Sequence, residues 1–301
     1  MKVDIEREVR AFAPGHVTGI FAPATDARDP RGRGSRGAGI VLELGAHAEV
    51  RYRATGPRRI RVTSDTGSPV PISTDVARRL APARGALTVN LRHDLPVGQG
   101  FGMSAAGATA TALAVARVSG VSRQDAIATA HLADLFGGGG LGGVAAILGG
   151  GLELRRTAGI PPWGEVEHRE LAVPVLVAVV GGPLPSPRFL RSDRTLARIR
   201  DAATGLDELF EDPGLEAFLA ASERFTDRVG LAPRPVARLV SSLRRRGAWA
   251  AQAMFGSTVF AVPRSERARP GIVTWLLARG VHGVEVRPAR RGAGFGRPQP
   301  F

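Results

Sequence analysis

The segment Pro96-Val97-Gly98-Gln99-Gly100-Phe101-Gly102-Met103-Ser104-Ala105-Ala106-Gly107 sets three glycines at alternate positions, then a serine, ahead of an alanine-rich run that reads as a helix to Val118. Glycine lets the backbone approach a bulky charged ligand, and the unpaired N–H groups of a helix start point toward it. Just upstream, Leu87, Val89 and Leu91 alternate with polar residues, the period of a strand, so the loop sits at the end of a sheet. Strand, glycine loop and helix start together make a phosphate cradle and point to an ATP-using enzyme. The bland alternative is a glycine-rich turn with no ligand.

Two common phosphate loops are tested directly against this segment. A P-loop needs a lysine right after its last glycine, and the one lysine of the chain is Lys2. A dinucleotide fingerprint needs G-x-G-x-x-G and an acidic residue about 20 positions on, at the end of a second strand. Here the spacing is G-x-G-x-G-x-S, and Asp125 falls in a segment that reads as helix. Neither loop fits.

With 301 residues the chain has room for a good core and two subdomains. No run approaches 18 apolar residues without a charge, glycine or proline, so no membrane span is expected. Residues 1–8 are charged and lack the apolar core of a signal peptide, which makes a cytoplasmic location the expectation. The absence of cysteine excludes a disulfide framework, a thiolate zinc site and a cysteine nucleophile. The net charge of +14 raises nucleic acid as a partner, but the arginines are spread along the whole chain and aromatic residues make up only 5%, so no stacking platform is evident. Incidental affinity for phosphate backbones at low salt is expected, and a dedicated nucleic-acid partner is not.

Read outward from the loop, the first half mixes strands at 9–13, 40–44, 48–53, 60–63 and 152–156 with helices at 74–80, 104–118 and 123–136. A glycine, proline and arginine loop is expected up to Gly37, and Gly137 to Gly143 must be a loop. The segment Pro161-Pro162-Trp163-Gly164 reads as a hinge between halves. Beyond it, strands at 173–180, 248–253, 258–262 and 284–287 accompany helices at 194–210, 215–229, 235–246 and 272–278. This grouping favours an α+β fold over a doubly wound sheet. The glycine, arginine and proline content of the last ten residues reads as disorder.

The pattern P-x-G-x-G-F-G-x-S-x-x-G resembles the second motif of the GHMP kinase superfamily, whose members phosphorylate small-molecule hydroxyls with ATP. Ala13-Pro14-Gly15-His16-Val17-Thr18-Gly19-Ile20-Phe21 resembles the first motif of archaeal pantoate kinases. Gly34-Ser35-Arg36-Gly37-Ala38-Gly39, Ala130-His131-Leu132-Ala133-Asp134, Gly140-Leu141-Gly142 and Met254-Phe255-Gly256-Ser257-Thr258-Val259-Phe260 are similar to further segments of that family. The resemblance runs in order from about residue 10 to residue 262. It implies a two-domain GHMP kinase fold of α+β class: an N-terminal nucleotide-binding domain over 1–165, a C-terminal ferredoxin-like domain over 166–290 and a flexible basic tail over 291–301, with the active site in the cleft. It further implies a homodimer that uses ATP and Mg2+ to turn pantoate into 4-phosphopantoate for coenzyme A biosynthesis.

Phosphoryl transfer to an alcohol needs phosphate charge neutralised, a magnesium ion held and the hydroxyl placed in line. Pro96, Gly98, Gly100, Phe101, Gly102, Ser104 and Ala105 form the expected phosphate loop, and Gly256, in the third motif, is expected to close on the nucleotide side. The Ser104 hydroxyl suits phosphate or magnesium, or a plain N-cap. The resemblance gives Asp134 the magnesium role, at a position usually held by glutamate. His131 lies one turn before Asp134 and is read as a structural or substrate-side hydrogen-bonding group. His16 and Thr18 are expected to meet the substrate, as are Ser35 and Arg36, since a guanidinium fork matches a carboxylate. Arg155 is a second candidate for carboxylate or phosphate, beside the bland reading of a surface charge.

The chain departs from the family at Gly143, where pantoate kinases carry an aspartate as the candidate base or hydroxyl-orienting residue, and at Gly139 in place of a threonine. Three readings stay open: the reaction tolerates the loss or draws on another group such as His16 or Asp134, the substrate is another small hydroxy acid, or the chain binds ligand with little turnover.

Overall fold

The computed structural model describes residues 6–184, 187–190, 192–279, 281 and 283–295. A long hairpin, β1 (Glu6–Ala24) and β2 (Gly34–Arg53), is the spine of the first half. Where a short strand and a long loop are expected, β1 runs unbroken through Pro14, Gly15 and Gly19. Its hydrogen bonds come from distant β2 residues, and register shifts at Pro14/Gly15 and Thr18/Ile20 absorb the residues that read locally as breakers. These two bulges flank His16 and Thr18 and set their aim. The arginine-rich connection is also tied down. The Asp29 side chain accepts from Arg31 N at 2.9 Å at the start of a 3₁₀ turn, and the Arg31 guanidinium lies 4.0 Å over the Trp163 ring.

The first sheet has the order β3 (Arg59–Ser64), β4 (Ala86–His93), β2, β5 (Leu152–Thr157), β6 (Glu165–Arg169), with β1 also on β2. Only β3 and β4 pair in parallel. Against the sheet lies α2 (Met103–Ser119), packed on both α1 (Pro71–Leu80) and α3 (Arg123–Gly137), which also touch each other. The small side chains explain how α2 is buried on nearly every side: Ala105, Ala106, Ala108, Ala110, Ala112 and Ala114 let neighbouring backbones close in. A short helix, α4 (Gly143–Ala146), follows the glycine run.

The second sheet has the order β10 (Gly283–Val286), β7 (Val175–Val179), β9 (Thr258–Pro263), β8 (Ala248–Gln252), all pairs antiparallel. Between β7 and β8 come α5 (Pro187–Leu190), α6 (Asp193–Ala202), α7 (Leu206–Glu211), α8 (Leu215–Val229) and α9 (Arg234–Arg244). The single helix expected at 194–210 is thus two, parted by a turn containing Thr204 and Gly205. A helix α10 (Arg269–Leu277) joins β9 to β10. The apolar faces of α9 and α10, through Val236, Leu239, Leu243, Ile272 and Leu276, form a separate small core on this sheet. Helix α8 instead bridges the halves, its Phe225 packing 5.8 Å from Phe21 of β1 and its Phe218 6.0 Å from Phe260 of β9.

Two boundaries differ from the sequence reading. Strand β6 pairs with β5, so the first sheet extends past 165 and the chain crosses over between β6 and β7. Residues 287–294 return to the first sheet, with Ala289 N donating to Val41 O at 2.8 Å and Gly294 bridging Phe12, so the described start of the expected tail is paired rather than trailing. Residues 296–301 lie outside the described residues.

Candidate active site

Gly98, Gly100 and Gly102 have φ of 76°, 88° and 64°, the left-handed region that side-chain-bearing residues resist, and this is why three glycines alternate. Gly102 caps α2 without any side-chain bond. The first N–H groups of a buried, 17-residue helix therefore open toward the cavity beside the loop, with its dipole favouring an anion there. Ser104 is no cap: its hydroxyl donates to Asp134 Oδ1 at 2.6 Å. Burial raises the Asp134 carboxyl to about 7, against the pull of the Ser104 bond, so near neutrality it holds a proton readily. Around this pair the glycine run leaves space, since a Cβ at Gly139 would overlap both Asp134 Oδ1 and Ser104 Oγ.

These groups face a cavity of about 430 Å³. Of the predicted residues, His16, Thr18, Ser35, Gly98, Gly100, Gly102, Ser104, Ala105, Asp134 and Arg155 line it. Arg155 is buried, paired with Glu153, and its Nε has no partner among the described residues, an orphaned cationic donor beside Ser35 and Gly142. An anionic ligand group answers that need.

Five predicted residues lie elsewhere. Arg36 turns away to Asp207, to the Arg156 carbonyl at 3.0 Å and to the face of Phe210, so its guanidinium ties β2 to α7. His131 is buried beneath the 30–33 turn, against the backbone of Pro30 and Arg33. The Phe101 ring is 2% exposed in the core, and Pro96 lies on the exposed side of the loop. Gly256 sits beneath the loop: a Cβ there would overlap the Gln99 carbonyl, and one at Gly100 would come within 2.7 Å of Ala253 O. Its place is a close backbone approach that props the loop from the second sheet. Replacing Gly256 with alanine is expected to weaken binding of a nucleoside triphosphate at the loop about 10- to 100-fold, by displacing the loop roughly 1 Å; equilibrium nucleotide titration checks it.

Two groups escape the sequence reading. Glu153, fully buried, bonds His16 Nε2 at 2.8 Å and Arg155. The signal was present in β5, where Glu153 and Arg155 alternate with Leu152 and Leu154, but nothing local says that both faces are covered. The other is an apolar wing at Pro69, Val70, Pro71 and Ile72, with His93 at its edge bonded through Nδ1 to Asp65 at 3.0 Å. Among the described residues no three His, Cys, Asp or Glu side chains cluster as a metal site, and no helix is long and apolar enough to cross a membrane.

The geometry has counterparts. Residues 72–151 match the family described as GHMP kinases N terminal domain. The pantoate kinase of Thermococcus kodakarensis is 32% identical over 269 residues, covering 86% of this chain and 89% of that protein. The pantoate kinase of Methanospirillum hungatei JF-1 is 27% identical over 259 residues, covering 84% and 87%. A solved structure described as a phosphotransferase related to the CoA biosynthesis pathway superposes with a TM-score of 0.85 at 27% identity, over 97% of this chain and 99% of that one. Mevalonate kinase of L. major shares the fold at 14% identity, with a TM-score of 0.65 over 97% and 99%.

Proposed function

The chain belongs to the pantoate kinase family of GHMP kinases, and from that premise we propose that it transfers the γ-phosphoryl group of ATP to the hydroxyl of pantoate, forming 4-phosphopantoate on the way to coenzyme A. The observation that carries this is one cavity holding the glycine loop, the α2 N-terminus, the Ser104–Asp134 pair and the orphaned Arg155 donor. The apolar wing at residues 69–72 fits a nucleotide base, and the loop its phosphates. Arg155 and Ser35, which meet beside Gly142, are assigned to the pantoate carboxylate.

Mg2+ fits the residues present. Ser104 and Asp134 offer hard oxygen donors in a space that a single Cβ at Gly139 would fill, and an ion that keeps water and phosphate ligands needs few protein donors. Bound there, it would neutralise charge on the β- and γ-phosphates. The chain's own part is to hold the phosphates on backbone N–H groups and to orient the hydroxyl. The second sheet with its packed helices is read as the ferredoxin-like domain, and a cytoplasmic homodimer is part of the same proposal.

A coupled ADP-release assay with D-pantoate, mevalonate, shikimate and homoserine tests the reading. Turnover with pantoate well above the others is expected; ATP binding with no turnover on any of them would overturn it. Gly143→Asp is expected to lower the rate rather than raise it, because a Cβ at 143 would lie 2.7 Å from the Ala105 Cβ on the buried face of α2. The same assay, run on the variant, decides that point.

A further inference from the structure

His16 and Glu153 form a buried unit beside the cavity. The His16 ring bonds Glu153 Oε1 through Nε2 at 2.8 Å, and both side chains are almost wholly buried. Burial alone would raise the Glu153 carboxyl, but the charge of Arg155 and the bond from His16 bring it below its ordinary value. An ionised carboxylate only accepts hydrogen bonds, so the proton of the bond sits on His16 Nε2. Burial lowers His16, with Glu153 pulling upward and Arg155 downward, so the ring is neutral and its Nδ1 is a bare acceptor. Nδ1 lies 3.4 Å from Thr18 Oγ1, and both residues line the cavity. Room for the unit comes from Gly39, where a Cβ would overlap His16 Nε2 and reach Glu153 Oε1 at 2.9 Å.

We propose that Glu153 fixes His16 in the tautomer whose Nδ1 accepts the proton of the attacking substrate hydroxyl, the task left open by the glycine at 143. The proposal rests on the kinase reading above. In the step, the hydroxyl oxygen forms a bond to the γ-phosphorus of ATP, and the bond from that phosphorus to the β–γ bridging oxygen breaks, its electron pair leaving on ADP. The hydroxyl proton passes to His16 Nδ1, and the imidazolium is balanced by the Glu153 carboxylate until product release returns the proton to water. His16 is thereby a catalytic residue and Glu153 a positioning one. Among the described residues, the charged and titratable groups around the ring are Glu153, Arg155 and His168.

Two measurements on the full-length protein test this. Nitrogen NMR of the histidine-labelled chain is expected to show His16 protonated at Nε2 and bare at Nδ1, a state that Glu153→Ala disrupts; a proton on Nδ1 in the native chain overturns the proposal. This readout needs no turnover, so an enzyme inactive on every acceptor would sink the kinase reading while the tautomer is still judged. The second measurement is rescue of His16→Ala. Its kcat is expected to fall about 10²–10³-fold, the scale of general-base catalysis, with binding of a non-hydrolysable ATP analogue unchanged. Added imidazoles should restore rate in proportion to their basicity. Rescue indifferent to basicity, as simple cavity filling would give, overturns the proposal. Glu153→Gln keeps an acceptor but loses the charge, and should lower kcat about tenfold with KM for ATP unchanged.

Discussion

Asp134→Asn is expected to lower kcat by about 10²–10³-fold and, at the same time, to raise the melting temperature of the metal-free protein above pH 7. The first effect follows from the carboxylate's place. Among the described residues it is the one acidic group lining the cavity, bonded to Ser104 beside the α2 N-terminus, and if it holds Mg2+ as proposed, its loss removes several kcal/mol of charge stabilisation in the transition state, each 1.36 kcal/mol being tenfold. The second follows from linkage. Burial lifts the folded carboxyl from 3.8 to about 7, so the fold prefers the protonated form. That preference stabilises fully below the unfolded value and is lost as pH rises through about 7. Native stability should therefore decline between about pH 4 and 7, while the asparagine variant should show no such decline. A difference of about 4 kcal/mol at pH 8 corresponds to roughly 6 °C in a chain of this size. Differential scanning fluorimetry across pH reads it directly. Mg2+ with ATP should stabilise the native chain more strongly as pH rises, because binding must displace the Asp134 proton. A variant that keeps its rate, or melts lower at pH 8, would refute this account of Asp134.

Gly139→Ala carries the second large effect, and it isolates space from chemistry. Gly139 is not among the glycines with positive φ, so alanine meets no backbone penalty there. Its Cβ would overlap Asp134 Oδ1 and Ser104 Oγ, and the next nearest atom is Asp134 Cγ. The added methyl must therefore separate the hydroxyl from the carboxylate or push both aside. The expected result is a loss of about 10²-fold in kcat, a higher Mg2+ requirement and little change in melting temperature, since the collision falls on the functional pair and not on the core. Steady-state rates over a magnesium titration, paired with thermal melts, test it. An active variant with native magnesium dependence would show that the glycine run serves only to turn the chain.

Both predictions show where local reading succeeds. The alternating glycines before Ser104 are legible because their chemistry is local: positive φ, close approach and a helix start within twelve residues. The α+β class and most of the longer strands and helices follow from period and punctuation, while β6, α4 and α5 do not. Segment 14–19 is misread because its hydrogen bonds come from β2, about twenty to thirty residues away, through two bulges that no local propensity encodes. Arg36 and Arg155 look alike in sequence. Pairing with Asp207 sends one to the outer face, while strand β5, covered on both sides, buries the other beside Glu153.

By itself, then, the sequence determined an alternating-glycine loop at a helix start and an α+β chain with no thiol chemistry, and through its family resemblance it marked Ser104 and Asp134 as candidates for magnesium. Only the tertiary structure decided which residues share the cavity. It joined Ser104 to Asp134 across thirty positions, pressed Gly256 under the glycine loop, and set His16 against Glu153 across 137. Those pairings arise from sheet register and buried close packing, which depend on contacts between distant residues and have no local signature.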